Sequence, residues 1–231
     1  MKQRNLSNLC LLGAFICITL LSCTKEDGID EQTQEIPKED ATQPEIPTIN
    51  GHEYVDLGLS VKWATANIEA EEIYDYGGYY CWGESKQKYN YNQDSYEYYK
   101  NGKYQDIGRN ISGTDYDVAK VKWGASWRLP TKEECEELIS RCTYLHRFYV
   151  TENSTARWGG EFTGPNGNKI FLPFAGSMLY TSVGYRGTDG AYLCGEKTDR
   201  AYIYVLGLDS KGAAVGSGIR YMGYSVRPVS K

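Results

Sequence analysis

Histidine is nearly absent from this chain: of 231 residues only His52 and His146 carry an imidazole. A catalytic histidine needs a nucleophile and an orienting partner that can be named. His52 lies at the edge of the foldable region, and His146 sits among Tyr144, Arg147 and Phe148. Neither has such a partner in the sequence, so both read as structural or surface residues. No Cys-x2-Cys and no cysteine–histidine spacing suits zinc. No basic patch invites nucleic acid. No 25-residue self-similarity supports a solenoid or a propeller. The paired acids Asp115 and Asp117 have acid–base potential, but at i, i+2 in a turn they read as caps. The expectation is therefore a protein with no catalytic residues, no metal and no cofactor.

Long apolar runs are missing too, with one exception at the N-terminus. Leu9 to Leu21 is a run of 13 residues behind Lys2 and Arg4. It is too short for a bilayer, which needs about 20 residues, and it suits a signal-peptide core over residues 1–22. Leu20-Leu21-Ser22-Cys23 resembles a bacterial lipobox. The resemblance implies that Cys23 becomes the first mature residue and carries lipid, an anchor in the outer membrane. Thr24-Lys25-Glu26-Asp27 resembles the export signal of Bacteroidetes lipoproteins, which implies the cell surface. Residues 23–50 are acidic, contain Pro37, Pro44 and Pro47, and have almost no apolar content. Such a composition cannot bury enough surface to fold and reads as a tether. Its acids account for the net charge of −5, leaving the part from Gly51 onward close to neutral.

What the chain does have is organised around Trp123-Gly-Ala-Ser-Trp-Arg-Leu-Pro-Thr-Lys-Glu-Glu-Cys-Glu-Glu-Leu-Ile139. Thr131 and Glu134 have the spacing of a capping box. Cys135, Leu138, Ile139 and Cys142 fall on one helical face. Glu133, Glu134, Glu136 and Glu137 crowd the first turns, where the helix dipole favours them. Trp123, Trp127, Arg128, Thr131, Glu134 and Leu138 are thus expected to be scaffold rather than site. Cys135 and Cys142 lie two turns, about 10 Å, apart and cannot bond to each other. Together with Cys81 and Cys194 they read as buried free thiols, with a bridge from the helix to Cys81 or Cys194 as the alternative.

Residues 51–231 suffice for one core. Short strands are expected at 52–56, 57–67 and 76–83. A tyrosine-rich excursion follows over 84–112, with a hairpin at Asn101-Gly102. Asp115 to Trp123 reads as a helical turn or two, and 143–158 is ambiguous. Segments 160–163 and 169–174 flank the turn Gly164-Pro-Asn-Gly167. A loop over 176–190 precedes strands at 191–194, 201–206 and 224–229. One or two helices with several short antiparallel strands and long loops make a single α+β domain.

Tyr54-Val-Asp-Leu-Gly-Leu-Ser-Val-Lys-Trp-Ala-Thr-Ala-Asn67, Tyr80-Cys-Trp-Gly-Glu84, Trp123 to Thr131 and Gly223-Tyr-Ser-Val-Arg-Pro-Val229 together resemble the Fibrobacter succinogenes major paralogous domain, over essentially all of 51–231. The resemblance implies a C-type-lectin-like fold whose termini meet and whose loops gather at one end. The chain departs from that family at Tyr192-Leu-Cys-Gly195, where members carry Tyr-Trp-Ser-Ser. Sugar-binding C-type lectins hold calcium with Glu-Pro-Asn or Gln-Pro-Asp and Trp-Asn-Asp triplets. Here only Gly164-Pro-Asn166 appears, and it reads as a turn. The cysteine pair of the related formylglycine-generating enzymes is absent as well.

Aromatic surface remains. The chain has 21 tyrosines, and tyrosine offers stiff, amphipathic contact area at low entropic cost. Tyr180, Tyr185, Tyr192 and Tyr221, with Arg186, Asp189, Asp199 and Arg200, are the expected binding residues. The expected function is a surface-anchored, non-catalytic recognition module for a glycan or a protein. The alternative is a structural or accessory subunit of a cell-envelope assembly.

Overall fold

The computed structural model describes residues 46–124, 126–150 and 156–231. The expectations for the signal segment, Cys23 and most of the tether lie outside the described residues. Thr48–Ile49 (β1) and His52–Val55 (β2) form a two-residue hairpin. Its turn, Asn50-Gly51, has φ of 51° and 80°, the type I′ geometry that Asn-Gly favours. The folded part therefore begins before Gly51, because that Asn-Gly pair lets residues 48–49 join the sheet. Lys62–Ala64 (β3) continues it.

Residues 76–83, expected as a strand, are irregular and make one isolated bridge, Tyr80 to Tyr224. Tyr99–Lys100 (β4) and Lys103–Tyr104 (β5) form the hairpin expected at Asn101-Gly102, with φ of 52° and 72°. Val118–Trp123 (α1) follows its N-cap Asp117, and Lys132–Arg141 (α2) carries the full capping box of Thr131 and Glu134. Then come Thr143–Val150 (β6), Ala156–Thr163 (β7) and Lys169–Pro173 (β8) in one antiparallel sheet. The loop expected over 176–190 contains a small hairpin, Ser177–Leu179 (β9) and Ser182–Gly184 (β10). Asp189–Lys197 (β11), Tyr202–Asp209 (β12) and Gly212–Ile219 (β13) form a second three-stranded sheet. Val229–Ser230 (β14) pairs antiparallel with β3, so the two ends of the described chain share one sheet. The fold is mixed α+β and rich in antiparallel strands, with two short helices among the described residues.

The β11–β12–β13 sheet divides the core. Side chains alternate along a strand, so Tyr192, Cys194, Leu206 and Leu208 face one cluster with Leu138, Trp63 and Phe162. Leu193, Ile203 and Val205 face a second cluster with Trp82, Ile111 and Leu129. Trp127 is buried and its indole donates to the carbonyl of Ile49 at 2.8 Å. Arg128 exchanges two backbone bonds with Val229, at 3.0 and 2.9 Å. Asp117, fully buried, accepts from the amides of Ala119 at 2.8 Å and Leu129 at 2.7 Å. The central motif thus fastens the first strand, the last strand and both helices. Among the described residues Cys81, Cys135, Cys142 and Cys194 are free thiols, and the sulfurs of Cys135 and Cys194 lie 3.4 Å apart across the α2–β11 contact.

Arg227 is the second fastening. Its side chain is buried, and Nε donates to Asn67 Oδ1 at 2.8 Å. Nη1 donates to the carbonyls of Ala64 at 3.0 Å and Thr65 at 2.6 Å, and Nη2 to that of Phe171 at 3.0 Å.

Two expectations follow. Trp127→Ala, Leu138→Ala and Arg227→Met each destabilise the fold by about 3–4 kcal/mol, from the lost packing or from stranded buried acceptors; urea denaturation measures this. A folded Trp127→Ala protein with undiminished stability contradicts the scaffold role. The second concerns acid. Burial opposes ionisation of Glu134, but the Arg128 guanidinium and the Thr131 amide outweigh it and hold the carboxyl below its ordinary 4.5. A depressed folded-state value adds stability that is complete above the unfolded value and disappears as pH falls through the folded one. Stability therefore drops below about pH 4.5, and Arg128→Met flattens that acid limb in unfolding experiments run across the range.

Candidate functional site

The tyrosines of the 84–112 excursion are not simply surface residues. Tyr79, Tyr91 and Tyr96 are buried in a third cluster, against which Tyr99 and Tyr104 pack from the β4–β5 hairpin. Met178 and Val183 pack onto it from the β9–β10 hairpin. Burial makes phenol ionisation harder: Tyr91 is pushed up to about 12, with Tyr96 and Tyr104 also raised. These rings are neutral contact surfaces at physiological pH.

Beside this cluster the β4–β5 hairpin faces Lys197, Arg200 and Arg220 across a cleft of about 580 Å³. Tyr99 and Tyr104 form one wall, their rings edge-on at 5.0 Å and 61°. Gln93 and Gln105 add amide groups, and Lys103 an ammonium. Lys197 donates to Asp106 at 2.6 Å, and this hydrogen bond holds the Asp106 carboxyl below the usual carboxylate range. The cleft therefore contains four cations and one carboxylate. Low-dielectric walls around charges of one sign concentrate the field on an incoming ligand.

The residues expected from sequence to bind are distributed unequally around this geometry. Arg200 lines the cleft. Tyr221 is half-buried on the tyrosine cluster, and its carbonyl accepts the Cys81 thiol at 3.0 Å. Asp199 is used internally: its Oδ1 accepts the amides of Ala201 and Tyr202 at 2.8 and 3.0 Å. Tyr180 and Tyr185 stand exposed at the β9–β10 hairpin, both with positive φ. Arg186 lies over the rings of Tyr76 and Tyr79 and donates to Tyr79 Oη at 2.9 Å. Asp189 accepts the Thr188 hydroxyl at 2.7 Å. Tyr192 is a correction: it is 1 % exposed and donates to the carbonyl of Pro173. Its position on the inward face of β11 makes it core, so it cannot belong to a recognition surface.

Sequence reasoning missed Tyr99, Lys103, Tyr104, Lys197 and Arg220. The Asn101-Gly102 turn pointed to the hairpin, but nothing local showed which residues lie opposite it.

The histidines serve as stacking partners. His52 lies 3.9 Å from Trp123 at 7°, and His146 lies 4.5 Å from Trp158 at 24°. Gly164 to Gly167 is a turn, and Asn166 donates to the carbonyl of Asp56 at 2.9 Å. No group of three or more metal-ligating side chains is present among the described residues. None of their helices is long and apolar enough to cross a membrane. A more apolar cleft of about 600 Å³ lies between β2 and β8, with Ile73 and Phe171 in its lining, and its rim is Ile46, where the described chain begins. No family model, curated protein or solved structure matches the chain.

Tyr192→Phe is expected to cost about 1 kcal/mol through the lost buried hydrogen bond. Tyr185→Ala, at a side chain 75 % exposed, should change stability by no more than about 0.5 kcal/mol. Chemical denaturation of the two variants separates core from surface; equal losses contradict this division.

Proposed function

We propose that the chain is a surface-anchored lipoprotein acting as a non-catalytic recognition module for a glycan or a protein. The cleft beside the β4–β5 hairpin carries this reading. Its volume suits a small ligand or one unit of a polymer. Its walls offer tyrosine rings, amides and cations, groups that bind and orient a ligand. The anchor rests on the lipobox-like Leu20-Leu21-Ser22-Cys23, and the outer-membrane surface on the acidic sequence that follows it. A C-type-lectin-like fold of the Fibrobacter succinogenes major paralogous type fits this reading. The pairing of β14 with β3 and the cleft built from chain excursions both support it.

One observation favours the alternative, an accessory subunit of an envelope assembly. β6 is an edge strand with Phe148 and Val150 exposed, and Trp158 opposite Phe148 is exposed as well. An apolar edge of this kind invites a packed partner.

A glycan array and affinity capture from mucus or neighbouring cells test the leading reading. Retention of a defined glycan or protein is expected. Blank results from well-folded protein in both assays count against recognition, and cross-linking in the envelope that joins β6 to another subunit establishes the alternative.

A further inference from the structure

Among the described residues two arginines are fully buried, and they differ in one respect. Every nitrogen of Arg227 donates to a protein oxygen. Arg220 is equally buried, at 1 % exposure. Its Nε donates to Tyr96 Oη at 2.8 Å and its Nη1 to the carbonyl of Arg200 at 3.0 Å. Its Nη2 has no acceptor among the described residues, and none of their carboxylates forms an ion pair with it. A buried charge left partly unsatisfied is costly, yet this one is held rigidly. The guanidinium carbon lies 4.8 Å from the Trp82 ring centre, 5.2 Å from that of Tyr96 and 5.3 Å from that of Tyr104. Arg220 also lines the cleft described above. Lys197 is paired with Asp106, whose carboxylate also feels the Arg220 charge, and Lys103, Arg200 and Arg220 form no ion pair among the described residues.

We propose that this cleft binds an acidic sugar, with its carboxylate or sulfate group held by Arg200 and Lys103 at the rim and drawn in by the positive charge of Arg220 buried beneath them. The proposal rests on the recognition reading above and narrows its ligand class. The exposed guanidinium fork of Arg200 matches the oxygens of such an anion. Tyr104 presents an aromatic face against which a sugar ring packs. Gln93 and Gln105 supply amides that both donate to and accept from hydroxyls. An acidic peptide satisfies the cations but leaves the amides and rings with less to recognise.

Calorimetric titration of the full chain tests this. The probes are trigalacturonic acid, a sulfated chondroitin disaccharide, the carboxyl-reduced counterpart of the uronate trimer and a short oligoglutamate. At least one acidic sugar should bind about ten-fold or more tightly than the neutral trimer, and weaken as salt rises. Binding of the uronate trimer shows that a carboxylate suffices; binding of the chondroitin disaccharide alone, which carries a uronate carboxylate as well, assigns the sulfate. Arg200→Gln combined with Lys103→Gln alters exposed side chains only and should weaken that binding about ten-fold with unchanged thermal stability. Arg220→Gln removes the buried charge and should weaken it as well, and if that variant fails to fold the rim pair still decides. Acidic sugars that bind no better than the neutral trimer or oligoglutamate overturn the inference, as does unchanged affinity in the rim variant. If a neutral glycan or a protein is still captured, the recognition reading stands without it; a chain that captures nothing on the array or from mucus loses both.

Discussion

The fold depends on a positive charge placed where water cannot reach it. Arg227 joins the end of β3, Asn67 and β8 through four hydrogen bonds, all to protein oxygens. Hydrogen bonds to a charged group contribute about 1.5–3 kcal/mol each, which offsets the loss of hydration. Burial lowers the guanidinium pKa to about 10, so the group remains charged at physiological pH. The acceptors themselves lie more than a hundred residues apart in sequence, from Ala64 to Phe171, and the donor lies near the C-terminus. Once this contact forms, β14 is brought alongside β3, and the Arg128–Val229 backbone pair places the central motif over both.

From that closure the rest follows by packing. Strands β11 and β12 are covered on both faces, so these two carry apolar residues on both sides. The α2 helix covers one face with Cys135 and Leu138. Irregular segments and α1 cover the other. The tyrosine excursion cannot enter either cluster and makes a third. That arrangement leaves Arg220 between tyrosine rings and the 197–201 segment, with a cleft above it. The two buried arginines thus divide the tasks: one closes the fold, and the other keeps a buried donor without a protein acceptor beneath solvent-facing cations.

Much of this architecture is legible residue by residue. Thr131 and Glu134 announce the start of α2 because capping is local chemistry, and the structure has the box. Asn101-Gly102 announces a type I′ hairpin because few residues tolerate two positive φ values in succession. Asn50-Gly51 carries the same signal at the domain edge, where the proline-rich tether obscures it. By contrast, Gly212-Ala-Ala-Val-Gly-Ser-Gly-Ile219 has little strand propensity, yet it pairs along its whole length with β12. Only the neighbouring strand makes it a strand. Residues 76–83 show the converse: their aromatic pattern suits a strand, but Trp82 and Tyr80 are drawn into the second cluster and the backbone stays irregular.

The candidate site was harder to read for the same reason. Tyr192 and Tyr185 are equivalent as sequence, each a tyrosine in a glycine-rich stretch. The pleat of β11 turns the first inward, and a left-handed turn leaves the second in water. Arg220 and Arg227, seven positions apart, cannot be told apart by composition. By itself the sequence determined the helix start, the Asn101-Gly102 turn, the α+β class and the inward-facing positions of Trp127 and Leu138, all set by local geometry and apolar spacing. The tertiary structure alone decided which tyrosines are core, which arginine is satisfied and where the cations converge. Those outcomes depend on which oxygens distant segments bring within hydrogen-bonding reach, and no local pattern encodes that.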